Sequence, residues 1–156
     1  WEDSAHEDLC VRIADTVDLD FFVIAGGYTL LETRALRRIL PLCEERNIGV
    51  IIAAPYASGW LVIPDESAPY MYDKPSDEIV TKSRAMKAIC DEAGIPLAAA
   101  AIQFPLAHPN VAAVIPGAKS PEEPKENYQH MSTAVPGEVW QKMKSEGLLD
   151  ESAPTA

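Results

Sequence analysis

Three short, almost wholly apolar runs limit what this chain can fold into more than any other feature. They are Asp20-Phe21-Phe22-Val23-Ile24-Ala25, Gly49-Val50-Ile51-Ile52-Ala53-Ala54 and Val111-Ala112-Ala113-Val114-Ile115. Gly26-Gly27 stops the first, Pro55 the second and Pro116-Gly117 the third. Brief apolar runs closed by turn residues are the mark of strands buried on both faces.

Around these runs the apolar spacing changes to a helical period. Leu9, Ile13 and Thr16 share one face of 3–16, with Asp3 or Ser4 as N-cap. Leu36, Ile39, Leu40 and Cys43 fall at i, i+3, i+4 and i+7, which predicts one helix over 33–46. Ser76, followed by Asp77 and Glu78, caps a helix whose buried stripe is Ile79, Ser83, Met86 and Cys90 and which ends at Gly94. Pro96 opens a helical segment over 97–106. Ser120, Pro121, Glu122 and Glu123 open another that runs to His130, and a last helix spans about 136–146. Residues 56–75, with Gly59, Pro64, Pro69 and Pro75, read as a long irregular loop of the kind that often carries function. The small polar residues 150–156 are expected to form a flexible tail.

Helices alternating with strands predict an α/β fold with right-handed crossovers onto a parallel sheet, in one domain over 1–149. The strand spacing suits a (β/α) barrel with an insertion after its middle strand. A doubly wound sheet fits the pattern almost as well.

Composition removes several classes of function. The 156 residues hold 13 Lys and Arg against 24 Asp and Glu, a net charge of −11, so neither nucleic acid nor an anionic membrane surface is an expected partner. The longest largely apolar stretch, 95–107, is interrupted by Pro96, Gln103 and Pro105 and is too short to span a bilayer. Cys10, Cys43 and Cys90 lie far apart among apolar neighbours and are expected to be buried, reduced thiols rather than metal ligands or disulfides, as in a cytoplasmic protein. His108 and His130 have no second ligand at metal spacing, so no metal site is expected. No signal peptide is evident, and with Trp at position 1 the chain is expected to begin inside a longer product.

The turn after the third run has its own chemistry. Backbone N–H groups of Gly117, Ala118, Lys119 and Ser120, at a helix N-terminus, suit an anionic phosphate. Equally, Gly117 can be a plain turn glycine and Ser120 a plain N-cap.

Residues 18–32, 48–59 and 114–127 resemble the sixth-, seventh- and eighth-strand regions of aldo-keto reductases, the third through Ile115-Pro116-Gly117-Ala118 and Glu126-Asn127. The similarity extends from about Trp1 to Leu149 and is nearest the branch of sugar dehydrogenases acting on L-fucose and D-threo-aldoses, with pyridoxal 4-dehydrogenase nearby. It implies a partial (β/α)8 TIM barrel covering strands 6 to 8 and their helices, and hydride transfer between a nicotinamide dinucleotide and an aldose or small aldehyde. It also implies that the family's Asp, Tyr, Lys and His tetrad belongs to the first four strands, so that this chain carries no catalytic residue and is inactive alone. His6, His108 and His130 do not match the tetrad histidine. The missing N-terminal half of the barrel is the implied partner, and three strands of eight leave unpaired strand edges and one open core face, which should promote association or misfolding. A non-catalytic nucleotide-binding or assembly module is the alternative. An unrelated α/β enzyme is a third reading.

The resemblance further implies that Pro55, Tyr56, Ala57, Ser58 and Gly59 lie under the cofactor pyrophosphate. Gly117, Ala118, Lys119 and Ser120 would then bind the adenosine half, with Glu126 and Asn127 facing the adenine. Where relatives that prefer NADP place Lys and Arg, this chain has Gly117 and Glu123, which favours NAD, with Lys119 able to reverse the preference. Ala25 and Ala53 replace the usual Gln and Tyr and imply a roomier nicotinamide pocket. Tyr28 and Trp60 are candidate substrate-pocket residues, and Tyr70 and Tyr72 could cover a sugar face.

Overall fold

The computed structural model describes residues 4–155; Asp3 and the side chains of Ser4 and His6 lie outside the described residues. Helices α1 (Ser4–Thr16), α2 (Ile39–Glu45), α3 (Asp77–Glu92), α4 (Leu97–Gln103), α5 (Glu123–Ser132) and α6 (Gly137–Ser145) surround strands β1 (Phe21–Ala25), β2 (Gly49–Ala53) and β3 (Val111–Ile115). The strands form one parallel sheet in the order β1-β2-β3. Phe21 pairs with Gly49 and Ala25 with Ala53, and Ala53 pairs in turn with Ile115. None of the helices among the described residues is long and apolar enough to cross a membrane.

Only one face of the sheet is covered. Val50 and Ile52 are fully buried, and Phe22, Ile24 and Val114 pack against the same core. Side chains alternate along a strand, so Phe21 and Val23 on β1 and Ile115 on β3 point the other way, and each is more than half exposed. Taken alone each run reads as a strand buried on both faces, which these are not; the bare face is the open core face expected where three strands of eight are present. Their composition is that of a two-sided interior strand, but among the described residues nothing lies over the second face.

Further apolar side chains are exposed elsewhere: Leu9, Ile13 and Val17 form a row at i, i+4 and i+8 on α1 and its end, and Leu106, Tyr128 and Met131 line a groove beside β3. The opposite row of α1 carries buried Ala14 and half-buried Cys10.

Proline placement explains where the helices depart from their periodicity. The segment 33–46 is not one helix. A 3-10 turn at Arg34–Arg37 leads to Arg38 in a non-helical conformation (φ −143°, ψ −48°), and only then does α2 begin. Pro41 has no N–H to give the Arg37 carbonyl and its ring would collide with it, so the break falls there. Pro105 likewise closes α4 at Gln103, after which 104–107 winds as a 3-10 turn. In α3 the capping is as read: the Ile79 N–H donates to Ser76 Oγ at 3.3 Å. Gly94 (φ +70°) ends that helix while the Ile95 N–H reaches the Cys90 carbonyl at 3.0 Å.

Within 150–155 the chain makes contacts back to the body. Ala153 is buried, its N–H donates to the Asp150 carbonyl, and Lys144 Nζ donates to the Ala153 carbonyl at 2.7 Å. Cys43 and Cys90 are buried and Cys10 is half-buried, all three as free thiols.

Candidate active site

Parallel pairing in register brings Ala25, Ala53 and Ile115 side by side at the C-terminal ends of the three strands. Three loops leave from that end, and those after β2 and β3 carry the candidate cofactor residues. The first, after β2, is tightly wound: the Ala57 N–H donates to the Ala54 carbonyl at 3.1 Å, and the Gly59 N–H to the Tyr56 carbonyl at 2.9 Å. Ala54, Ala57 and Ser58 all have left-handed backbone (φ +55°, +48° and +61°). Side chains at such positions cost about 1–3 kcal/mol each, and strain of this kind persists where the surroundings hold it. Pro55 and Ala57 turn inward, while Ser58 and Gly59 are exposed.

The long loop folds back onto this turn. Tyr70 and Asp73 exchange backbone hydrogen bonds of 2.8 and 3.0 Å around Met71 and Tyr72, both left-handed. At the tip the Met71 N–H donates to Ser58 Oγ at 3.0 Å, and the Met71 side chain fills the space beside Gly26 that a Cβ there would need. Tyr70 is half-buried and Tyr72 is almost wholly exposed.

The second loop, 116–120, leads to α5. Ser120 Oγ accepts the N–H groups of Glu122 and Glu123 at 3.3 and 3.4 Å, although the helix proper starts at Glu123 rather than Pro121. Glu123 reaches back, its Oε2 accepting the Lys119 N–H at 2.6 Å. One of the four amides read as phosphate donors is thus satisfied by the chain's own carboxylate. Among the described residues the N–H groups of Gly117, Ala118 and Ser120 have no backbone partner, and the space a Cβ on Gly117 would occupy is open. Three free amides and a glycine that allows close approach are a donor set that fits a phosphate oxygen.

Tyr56 ties the two loops together. Its hydroxyl donates to Asn127 Oδ1 at 2.7 Å and lies 3.4 Å from His130 Nδ1. The Tyr56 and His130 rings meet edge to face, and Gln103 Nε2 donates to the His130 and Thr133 carbonyls, anchoring the end of α5. Burial, with the Glu126 carboxylate adding to it, pushes the Tyr56 phenol up to about 12. Burial also lowers His130, which therefore remains neutral near pH 7. Glu126 itself is exposed.

Tyr28 and Trp60 are placed elsewhere. Both are buried. Gly26, at φ +73°, turns the chain away from the strand axis, and the Tyr28 ring packs 5.0 Å from Phe104 and 5.8 Å from His108, on the segment that enters β3. Neither residue presents a wall to a substrate. Their polar atoms, Tyr28 Oη and Trp60 Nε1, have no partner among the described residues.

Two concavities flank the sheet. A groove of about 370 Å3 follows the free edge of β3, lined by Ile102, Leu106, Val114, Pro116, Asn127 and Met131 among others. A polar one of about 240 Å3 sits at the opposite strand ends, where Arg46 Nη1 donates to the Ala14 carbonyl and Nη2 pairs with Asp15. Among the described residues no group of three His, Cys, Asp or Glu side chains is arranged to hold a metal ion.

Known proteins are similar to this chain in sequence and in fold. The chain is 36% identical over 136 residues to pyridoxal 4-dehydrogenase of Microbacterium luteolum, a match covering 86% of this chain and 40% of that protein. It is 33% identical over 148 residues to D-threo-aldose 1-dehydrogenase of a Pseudomonas species, covering 94% and 45%. The holo form of the aldo-keto reductase AKR11C1 from Bacillus halodurans superposes with a TM-score of 0.68 at 23% identity, over 94% of this chain and 48% of that one, so the fold is that of part of such a barrel. The chain thus spans somewhat under half the length of the curated relatives it matches. The model of the Aldo/keto reductase family matches residues 7–146, and the chain belongs to that family.

Proposed function

We propose that this chain is the dinucleotide-gripping, C-terminal portion of an NAD-dependent oxidoreductase acting on an aldose or a small aldehyde. The observation that carries the reading is the joining of two loops at one end of the sheet: 55–59, whose Ser58 hydroxyl would have to exchange its Met71 contacts for a ligand, and 116–127, with its free amides, are linked through Tyr56 and Asn127. Ser58, Gly117, Ala118 and Ser120 would hold the cofactor's anionic oxygens, and Asn127 its base. A bound nicotinamide supplies the hydride chemistry. The residues of this chain bind and orient, which can lower a barrier substantially when the reacting atoms are held in line.

The proton-transferring groups belong, in this reading, to the rest of the barrel, whose place is against the bare sheet face. Apolar surface of that extent is normally covered by a partner. Glu123 supports NAD over NADP, because a 2′-phosphate reaching the Lys119 amide would meet a carboxylate already bonded there.

Calorimetric titration of NAD and NADP into this chain and into the full-length product tests the proposal. NAD binding to both, tighter than NADP, is expected. Tighter NADP binding overturns the cofactor preference, and no binding by the full-length product overturns the function. Binding without turnover of any aldose or aldehyde by that product would favour a nucleotide-binding or assembly module.

A further inference from the structure

Ser58 has one proton to give, and in this structure a methionine takes it. Ser58 Oγ accepts the Met71 N–H at 3.0 Å and donates to Met71 Sδ at 3.8 Å. A thioether is a weak acceptor, so the second bond gives way readily to an anionic oxygen. The Met71 side chain is nonetheless well seated. Its terminal methyl occupies the space a Cβ on Gly26 would need, and mutual backbone hydrogen bonds between Tyr70 and Asp73 fix the loop tip that carries it. Met86 and Met143 are fully buried, whereas Met71 is half-buried and Met131 is 39% exposed. Met71 and Met131 are therefore the thioethers that a dissolved oxidant reaches.

We propose that Met71 is an oxidation site through which hydrogen peroxide lowers the chain's affinity for a dinucleotide, by turning the weak acceptor on the Ser58 hydroxyl into a strong one. The proposal rests on the cofactor reading above and adds a control to it. In the step, a lone pair of Sδ attacks one peroxide oxygen. The S–O bond forms as the O–O bond breaks, the hydroxide that leaves takes the proton from the transferred oxygen, and water departs. The sulfur is oxidised to a sulfoxide and the peroxide is reduced to water. In the epimer whose oxygen faces Ser58, that oxygen lies between Sδ and Oγ, within hydrogen-bond reach of the hydroxyl. Ser58 then commits its proton to its own loop, and a phosphate oxygen arriving at 55–59 meets only the lone pairs of Oγ. The Met71 N–H bond to Oγ does not involve the sulfur, so the turn stays tied while its donor is lost.

The experiment treats the wild-type chain, Met71→Leu, Met131→Leu and Ser58→Ala with hydrogen peroxide, locates sulfoxides by peptide mass spectrometry and measures NAD affinity by calorimetry before and after. Wild type and Met131→Leu are expected to gain a sulfoxide at Met71 and to bind NAD about tenfold more weakly, the worth of one hydrogen bond to a charged group. Methionine sulfoxide reductase should restore the affinity. Met71→Leu fills the same cleft without sulfur and should keep its untreated affinity, which sets aside Met131 and the thiols as the cause. Ser58→Ala should bind NAD weakly from the start and lose nothing further. Unchanged affinity in wild type that carries the Met71 sulfoxide overturns the proposal and leaves the cofactor reading standing, as does an equal loss in Met71→Leu or in Ser58→Ala. A Met71 that stays unoxidised while Met131 reacts overturns it too. If untreated wild type binds no NAD, the cofactor reading falls and the proposal with it.

Discussion

Val23 and Ile52 lie on adjacent strands of the same sheet, one residue apart in register, yet they should respond to truncation in opposite ways. Ile52 is fully buried between the sheet and the helices, whereas Val23 is 55% exposed on the bare face. Removing three carbons at Ile52 loses their transfer free energy and leaves a cavity in a closely packed core, about 2–5 kcal/mol in comparable cases. Removing two at Val23 gives up contacts that are half made with water, and surface changes of this kind stay within about 0.5 kcal/mol. Urea unfolding of Ile52→Ala and Val23→Ala, followed by far-UV circular dichroism at low protein concentration, measures both. A domain of this size has only about 5–15 kcal/mol in total, so Ile52→Val, expected to cost about 0.5–1.5 kcal/mol, provides a milder reference if Ile52→Ala does not fold. Equal losses at Val23 and Ile52 would refute the reasoning, because they would mean that the second face is covered in solution. Repeating the Val23→Ala measurement at rising concentration then shows whether another copy covers it.

Ser76→Ala removes the acceptor of the Ile79 amide and should cost α3 about 1 kcal/mol, read as a lowered melting temperature. Burial depresses the pKa of both His108 and His130, so the unfolded chain takes up protons before the folded one. Stability should therefore fall as pH drops from about 6.5 toward the lowered folded-state values, and His108→Gln should flatten that slope in melts between pH 5 and 7. Burial pushes the Cys43 and Cys90 thiols up to about 11, so in the folded chain a thiol reagent should label half-buried Cys10 first and reach the other two only in denaturant. Glu123→Lys replaces the carboxylate at the Lys119 amide with a cation, and calorimetry should show NADP gaining on NAD by about tenfold.

The parts of this fold that are local in sequence were legible from it. Five- and six-residue apolar runs with Gly or Pro at their ends gave all three strands, and Ser76, Gly94 and Pro96 bounded α3 and α4 closely. The break at Arg38 was written in Pro41 as well, but the apolar i, i+3, i+4 pattern continues through it and conceals the missing hydrogen bond. What a strand faces is a property of its neighbours, so the apolar character of Phe21 and Val23 reads as burial on both faces, and only the likeness to three strands of an eight-stranded barrel says that one face lies bare. The direction of the chain after Gly26 is a matter of one positive φ, which is why Tyr28 reads as a mouth residue and packs instead with Phe104 and His108. At the candidate site, Gly117 and Ser120 stand out by type and spacing, and Ser58 only through the family resemblance. The Tyr56–Asn127 bond does not, because nothing local marks two residues 71 positions apart as partners. Nor do the contacts within 150–155, since Lys144 makes them through backbone carbonyls that any sequence supplies.

Backbone amide shifts of the isotopically labelled chain, recorded as NAD is added, test most directly whether the two loops form one seat. The largest changes are predicted at Gly117, Ala118, Ser120 and Ser58, together with the Asn127 side-chain amide. Changes gathered instead around Arg46 and Ala14, at the opposite ends of the strands, would contradict the account, as would an unaltered spectrum at saturating NAD.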